Sequence, residues 1–158
     1  MEEKKAKIFI ACDHAAFDLK KIIKEHMTSL GYEVEDLGCD GEGHKVDYPE
    51  YAAAVCKRVV EVGDENVARG ILICGTGIGM SMAANKVKGI RCGLCHDYYT
   101  SEMTRRHNNA NVLAMGARVT GSEVAKQIAE VFMTSPFESE HVNHAKRVNM
   151  LKALDEQS

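Results

Sequence analysis

No apolar run in this 158-residue sequence approaches the roughly 20 residues needed to cross a bilayer. Net charge is also small: 20 Lys and Arg stand against 23 Asp and Glu, giving −3. Chains that coat DNA or lie on anionic membranes carry a basic excess, so neither nucleic acid nor membrane is an expected partner. The first residues, "MEEKKAKIFIACDH", lack the long apolar segment and small-residue cleavage site of a signal peptide. A cytoplasmic protein is the expectation. No glycine turn is followed by the Gly-Lys-Ser/Thr of a P-loop. No second Cys-x-x-Cys and no spaced His pair complete a zinc site, so no metal is expected. Internal repeats, low-complexity segments and linkers are absent too. What remains is 45% hydrophobic and 27% charged, enough for one domain spanning residues 1–158 with a real core.

Strand-like and helix-like segments alternate along that domain. "KIFIAC" (7–12), "EVEDLG" (33–38), "GILIC" (70–74), "GIRCGLC" (89–95) and "NVLAMG" (111–116) read as short apolar strands. Helical spacing marks 16–31, where Gly31 is a stop, and 49–62, opened by Pro49. It also marks 80–87, 96–108, 121–135 and a last helix over about 141–154. "CDGEGHKVDYPE" is a polar loop, and Asn108 or Asn109 is a left-handed cap. In the last helix Val142, Ala145, Val148, Leu151 and Leu154 share one side, with His144 and Arg147 opposite on a face that is solvated by default. This βαβα rhythm predicts an α/β fold, a three-layer α/β/α sandwich around a parallel sheet of about five strands. Ligands in such folds bind beyond the carboxyl ends of the strands.

Those ends carry Asp13 and His14, then Cys74 to Gly79, then His96 and Asp97, then Arg118. Asp13 is either a helix N-cap or half of a titratable pair with His14. "ICGTGIGMS" (73–81) alternates Gly75, Gly77 and Gly79 with Thr76 and Ile78, between a strand and a helix start. Free backbone N–H groups in such a turn hold an anion. Its spacing is G-x-G-x-G, only part of the dinucleotide fingerprint, although Asp97 stands where a ribose-binding acid would fall. A nucleotide-binding oxidoreductase or regulatory module is therefore a rival reading, and a bland structural turn is another.

Six cysteines fall at 12, 39, 56, 74, 92 and 95. In a cytoplasmic chain they are buried thiols or catalytic groups rather than disulfides. Cys92 and Cys95 lie three apart on a strand and so point to opposite faces. Cys12, Cys56 and Cys92 read as inert packing. Cys74 differs, because the turn's N–H groups lie just beyond it and favour a thiolate. A thiolate beside an oxyanion cradle can take a proton from the carbon next to a carbonyl, while the cradle stabilises the enolate. His107 ends a helix, where a cation suits the dipole. Arg105, Arg106 and Arg118 read as surface charges, except that Arg118 follows the fifth strand.

"ACDHAAFDLK", "VDYPEYA", "GILICGTGIGMSMAANKVKGIR", "RRHNNANVLAMGAR" and "HAKRV" together resemble the ribose-5-phosphate isomerase B family, which includes galactose-6-phosphate and allose-6-phosphate isomerases. The resemblance covers nearly the whole chain, in order. It implies a Rossmann-like fold without metal or nucleotide cofactor. It also implies a homodimer, which can pair into a tetramer. The reaction implied is aldose–ketose isomerisation of a sugar phosphate, ribose 5-phosphate to ribulose 5-phosphate, through a cis-enediolate. Cys74 matches the family's base, and Thr76 with Gly75, Gly77, Ile78 and Gly79 its enediolate cradle. Asp13 and His14 match a substrate-binding pair, His107 the ring-opening proton donor, and Asn108 a binder beside it. Arg118 and Arg147 match phosphate-binding arginines. His107 is expected to reach the Cys74 turn of the other subunit. Some members carry a glutamate base just after the last glycine of the turn, where this chain has Met80. Many read Gly-Gly-Arg-His-x-x-Arg near the C-terminus, whereas "SEHVNHAKR" puts Asn143 in place of the first arginine, with Lys146 or His141 to substitute. A six-carbon sugar phosphate is the alternative substrate. An inactive homologue serving as an interaction protein is disfavoured by intact Cys74, Thr76, Asp13 and His107.

Overall fold

The computed structural model describes residues 3–41 and 43–157. Glu42, one position of the expected polar loop, lies outside the described residues, as do the chain ends 1–2 and 158. Five strands, β1 (Lys7–Cys12), β2 (Val34–Asp36), β3 (Ala68–Cys74), β4 (Cys92–Leu94) and β5 (Val112–Gly116), form one parallel sheet in the order β2-β1-β3-β5-β4. Six helices accompany them: α1 (Phe17–Ser29), α2 (Tyr48–Val62), α3 (Ile78–Ala84), α4 (Tyr98–Arg106), α5 (Ser122–Thr134) and α6 (Val142–Asp155). The result is the expected Rossmann-like α/β/α sandwich.

Period-two alternation along the strands divides the core into two layers. Ile71 and Ile73 of β3 join Ile8, Ile10, Leu113 and Met115 against α1 and α5. Leu72 and Cys74 join Phe9, Ala11, Val112 and Ala114 against α2 and α3. Cys92 packs against this second layer, while Cys95 belongs to the first, so the two thiols of the Cys-x-x-Cys sequence do face apart.

The edge strands are shorter than the sequence pattern predicts. Each pairs on one side only, and its ends pass to other partners. At β4 the Arg91 N–H goes to Asn111 Oδ1, 2.8 Å away, instead of extending the ladder. Asn109, at φ 48°, takes the left-handed position expected of Asn108 or Asn109. The last helix departs most from expectation. Val148 is buried, but Val142, Met150 and Leu154 are 78%, 59% and 58% exposed. Among the described residues its apolar stripe is therefore covered at Val148 and in part at Ala145, and open at Val142, Leu151 and Leu154.

Strand order places the candidate site. The helix after β1 lies on one face of the sheet and the helix after β3 on the other. The chain reverses its winding between β1 and β3, and the crevice above such a switch point is where α/β folds bind ligands. Cys12 stands opposite Ile73 in the ladder, so Asp13 and Cys74 leave the sheet side by side.

Candidate active site

Cys74 ends β3 with 4% of its surface exposed. Its Sγ accepts the Gly77 N–H at 3.2 Å, which folds the turn back over the sulfur. Gly77 holds φ at 80°, and a Cβ there would stand 2.8 Å from the Met115 carbonyl carbon. Both facts demand glycine. Thr76 is exposed beside it, and its Oγ1 accepts the Ile78 N–H at 3.3 Å. The first N–H groups of α3 follow at once, and a helix start leaves such groups without helical partners.

Neighbouring strands supply the rest of this edge. The Asp13 N–H bonds to the Ile73 carbonyl at 3.2 Å, and Asp13 Oδ1 accepts the Ala15 N–H at 2.9 Å. Asp13 is therefore not the helix cap that its sequence context allowed. The N-cap position of α1 belongs to Ala16, which leaves the Asp13 carboxylate braced at the switch point. His14 is exposed, and its Nδ1 accepts the Val46 N–H at 3.1 Å, beside a cavity of about 260 Å³ lined also by Cys39, Asp40 and Lys45. Arg118 lies across the turn, since a Cβ on Gly75 would come within 3.2 Å of its Nη1. Tyr48 is a candidate wall that the sequence reading passed over. A Cβ on Gly79 would meet its ring at 2.6 Å. The signal was present in "VDYPEYA", because a tyrosine just before Pro49 starts α2 at this same edge.

Residues 107–108 stand elsewhere. α4 leaves the C-terminal ends of the strands and returns to their beginnings, and His107 is its C-cap. β5 then runs from Val112 to Gly116, and only Gly116 stands level with Cys74. Four residues of parallel strand cover about 13 Å. His107 and Asn108 therefore lie at the opposite edge of the sheet and do not join the Cys74 turn of their own chain.

At that edge the His107 ring stacks on His144, with centroids 4.1 Å apart and planes 12° from parallel. His141 leans on His144 from its other side, at 4.0 Å. Glu138 Oε1 bonds to Arg106 Nε at 2.7 Å, and its Oε2 lies 3.5 Å from His144 Nε2 and 3.9 Å from His107 Nε2. Burial works against the Glu138 carboxylate, but Arg106 and the two imidazoles outweigh it and hold the carboxyl below its ordinary range. Partial burial, then His141 and His107, lower the His144 imidazole. So His144 is not on the solvated face expected for it, while Arg147, Asn143 and Lys146 are exposed.

Arg105 also differs from expectation. It is 1% exposed rather than a surface charge, and its guanidinium binds Asn109 Oδ1 at 2.9 Å and the Ala110 and Ser135 carbonyls. Burial brings it down to about 9. This clamp fixes the turn that carries His107 and Asn108. Asn108 lines a groove of about 530 Å³ with Arg91, Thr104, Leu151 and Leu154.

Asp97 is occupied as a helix cap. Its Oδ1 accepts the Thr100 N–H at 2.7 Å and the Thr100 hydroxyl at 2.9 Å. That use removes the acid on which the nucleotide reading depended. Burial pushes the thiols of Cys12, Cys56 and Cys95 up to about 12, and Cys92 is raised as well, as suits inert packing.

Residues 8–151 match the family of ribose/galactose isomerases. The chain belongs to this family. Ribose-5-phosphate isomerase B of Escherichia coli is 41% identical over 150 residues, 95% of this chain and 97% of the relative. D-erythrulose-4-phosphate isomerase of Pectobacterium atrosepticum is 44% identical over 131 residues, 83% and 84% of the two chains. The solved structure of Clostridium thermocellum ribose-5-phosphate isomerase B superposes with a TM-score of 0.88 at 40% identity, covering 96% of this chain and 98% of that one. As a ribose/galactose isomerase, the chain is an enzyme of intramolecular rearrangement, and the oxidoreductase reading falls. Among the described residues no helix is long and apolar enough to cross a membrane.

Proposed function

We propose that this ribose/galactose isomerase interconverts D-ribose 5-phosphate and D-ribulose 5-phosphate without a cofactor, in a site shared by two copies of the chain. One observation carries the reading: Cys74 Sγ lies 3.2 Å from the Gly77 N–H, inside a glycine turn at the switch point of the sheet. The base and the turn that would supply oxyanion donors are thus neighbours in one short stretch of chain.

In the open-chain aldose, the Cys74 thiolate takes the C2 proton. Negative charge moves onto O1, where the Thr76 hydroxyl and turn N–H groups stabilise the cis-enediolate. The proton then returns to C1, and the O2 proton passes to O1, leaving the ketose. A positioned base contributes about 10²–10⁴-fold and a lost oxyanion donor costs about 10²–10³-fold. Ring opening comes first. Asp13 accepts the anomeric hydroxyl proton while His107 of the partner subunit gives one to the ring oxygen, beside Asn108 of the partner subunit. His14 binds the sugar, and Arg118 with Arg147 of the partner subunit holds the phosphate. Two features support the shared site. His107 and Cys74 stand at opposite sheet edges within one chain, and the apolar stripe of α6 lies open near His107. Met80, where some relatives have a glutamate base, is fully buried, which supports cysteine as the base here.

A second reading concerns substrate choice. Asn143 replaces one phosphate-binding arginine of many relatives, so sugars of another length are alternatives. Rates for ribose 5-phosphate, erythrulose 4-phosphate, allose 6-phosphate and galactose 6-phosphate test it under one set of conditions. Ribose 5-phosphate should give the highest kcat/KM; a clear preference for another sugar would move the chain to a neighbouring branch.

A further inference from the structure

Two thiols that the proposed isomerisation does not use touch at the end of β1. Cys12 Sγ and Cys39 Sγ lie 4.0 Å apart in the first core layer. Backbone holds the two residues side by side. The Cys12 N–H donates to the Gly38 carbonyl at 2.8 Å, and the Cys39 N–H donates to the Cys12 carbonyl at 3.0 Å. A disulfide sets its sulfurs about 2.0 Å apart, so the pair must close by about 2 Å, which rotation about the two Cα–Cβ bonds can supply. A buried ammonium stands beside them. Lys20 is 2% exposed and bonds the Cys39 carbonyl at 2.6 Å and Asp36 Oδ1 at 2.8 Å. Its charge offsets part of the burial that holds the Cys12 thiol up, and cationic surroundings are those in which thiols react. The two thiols differ in access. Cys12 is fully enclosed, whereas Cys39 is 5% exposed and lines the cavity of about 260 Å³ beside His14.

We propose that Cys12 and Cys39 form a modification site, a thiol pair that a small hydroperoxide converts to a reversible disulfide. The Cys39 thiolate attacks one peroxide oxygen, the O–O bond breaks, and a water molecule leaves a sulfenic acid on Cys39. The Cys12 sulfur then attacks the Cys39 sulfur. The S–S bond forms, the S–O bond breaks, and the Cys12 proton leaves with the hydroxide as a second water. Two electrons have passed from the pair to the peroxide. Cys12 is inert toward reagents in solvent because it is enclosed, and so reacts only with its neighbour. In a reducing compartment such a bond is transient, which suits a redox-sensing pair. The site adjoins the isomerase edge. Cys12 precedes Asp13, and the loop after Cys39 gives the Val46 N–H to His14 Nδ1. Drawing the sulfurs together displaces Asp13 and His14, so the disulfide slows the enzyme. The disulfide stands on the geometry of the pair alone; its effect on rate rests on the isomerase reading.

Peptide mapping without reduction tests the first half on the full-length protein. Trypsin leaves Cys12 in residues 8–20 and Cys39 in residues 25–45, each the one cysteine of its peptide. After hydrogen peroxide the two peptides should appear joined, two hydrogens lighter than their sum, and should separate on adding dithiothreitol. In Cys12→Ser the join should vanish, and dimedone should label Cys39 at least ten-fold more than it labels Cys12 in Cys39→Ser. Thermal melts verify that each variant is folded. No joined pair in the wild-type protein, Cys39 joined to another cysteine instead, or equal dimedone labelling of the two thiols would overturn the site. For the second half, kcat/KM should fall at least ten-fold as the joined pair accumulates and return with dithiothreitol, while peroxide-treated Cys39→Ser keeps most of its activity. Equal loss in Cys39→Ser would place the damage at another thiol and overturn the inhibitory role. If the wild-type protein isomerises no sugar phosphate, the proposed function fails, while peptide mapping still reads the disulfide.

Discussion

At the C-terminal edge of the sheet, Cys74, Thr76 and Asp13 are positioned by backbone. A strand end, a left-handed glycine and main-chain hydrogen bonds fix them. At the N-terminal edge, His107 and His144 are positioned by side chains: an Arg105 clamp, an Arg106–Glu138 pair and stacked rings. The first arrangement tolerates little change in geometry and is complete within one chain. The second depends on a few charged groups and lies where α6 leaves apolar surface uncovered. A backbone-built edge suits a base that must meet one carbon atom. An edge built from side chains suits groups that must meet a second surface.

The largest expected effect falls on the backbone-built edge. Cys74→Ala should lower kcat by about 10²–10⁴-fold while a phosphate analogue still binds. Retained isomerisation in a coupled assay would remove Cys74 from the role of base. The corresponding damage at the other edge is structural. Arg105→Ala leaves buried carbonyls without a donor and should cost at least about 1–3 kcal/mol, the worth of one unsatisfied buried acceptor, in a denaturant titration. A loss below 1 kcal/mol would mean that the 107–110 turn does not need its clamp.

The two edges can also be made to rescue each other. Inactive Cys74→Ala and His107→Ala chains, mixed at equal amounts, should recover about a quarter of wild-type activity. Half of the two-fold dimers are hybrids, and each has one intact site. Hybrids that form, as mass spectrometry would show, without activity would place His107 outside the partner's site.

Smaller effects belong to the phosphate grip. Arg147→Ala should raise KM about ten- to hundred-fold, the worth of one charged hydrogen bond. Asn143→Ala should do much less, and Asn143→Arg should lower KM with kcat nearly unchanged. Equal effects of the two alanine variants would remove Arg147 from the grip. The smallest effect is an absence of reaction. Cys12, Cys56 and Cys95, raised to about 12 by burial, hold almost no thiolate at about pH 8 and should resist iodoacetamide in the folded protein. Because their folded values lie above those of the unfolded chain, their protonated forms are favoured in the fold. That contribution is whole below the unfolded value and fades only as pH climbs toward about 12. Peptide mapping checks the alkylation.

Much of the C-terminal edge was legible in the chain because it is local. The strand, the glycines and Cys74 are contiguous, and Asp13 follows its own strand directly. The N-terminal edge was legible only in part. His107 was singled out, and it stands away from the Cys74 turn of its own chain. Its stacking on His144, the burial of Arg105 and the contacts of Glu138 with Arg106 and the two imidazoles were not visible. Each joins residues from different elements, and spacing along the chain carries no signal for them. Asp13 and Asp97 make the same point from the other side. Asp13 was the plausible cap and Asp97 the plausible ribose-binding acid, yet Asp97 is the one that caps a helix, and the turn at Asp13 delays the start of α1 to Ala16 and Phe17.

Short apolar runs separated by helical periods determine the alternation of strands and helices, because burial on both faces leaves a parallel strand no polar position. The glycine turn is determined equally locally, since a left-handed residue pressed against another backbone admits no side chain. The order in which the strands pair was decided by tertiary packing. That order sets Asp13 beside Cys74 and sends His107 to the far edge. It also gathers His107, Glu138 and His144 into one cluster. Such neighbours are chosen by the faces that helices must bury and by the hand of each crossover. Both are properties of the folded layers rather than of any stretch of residues.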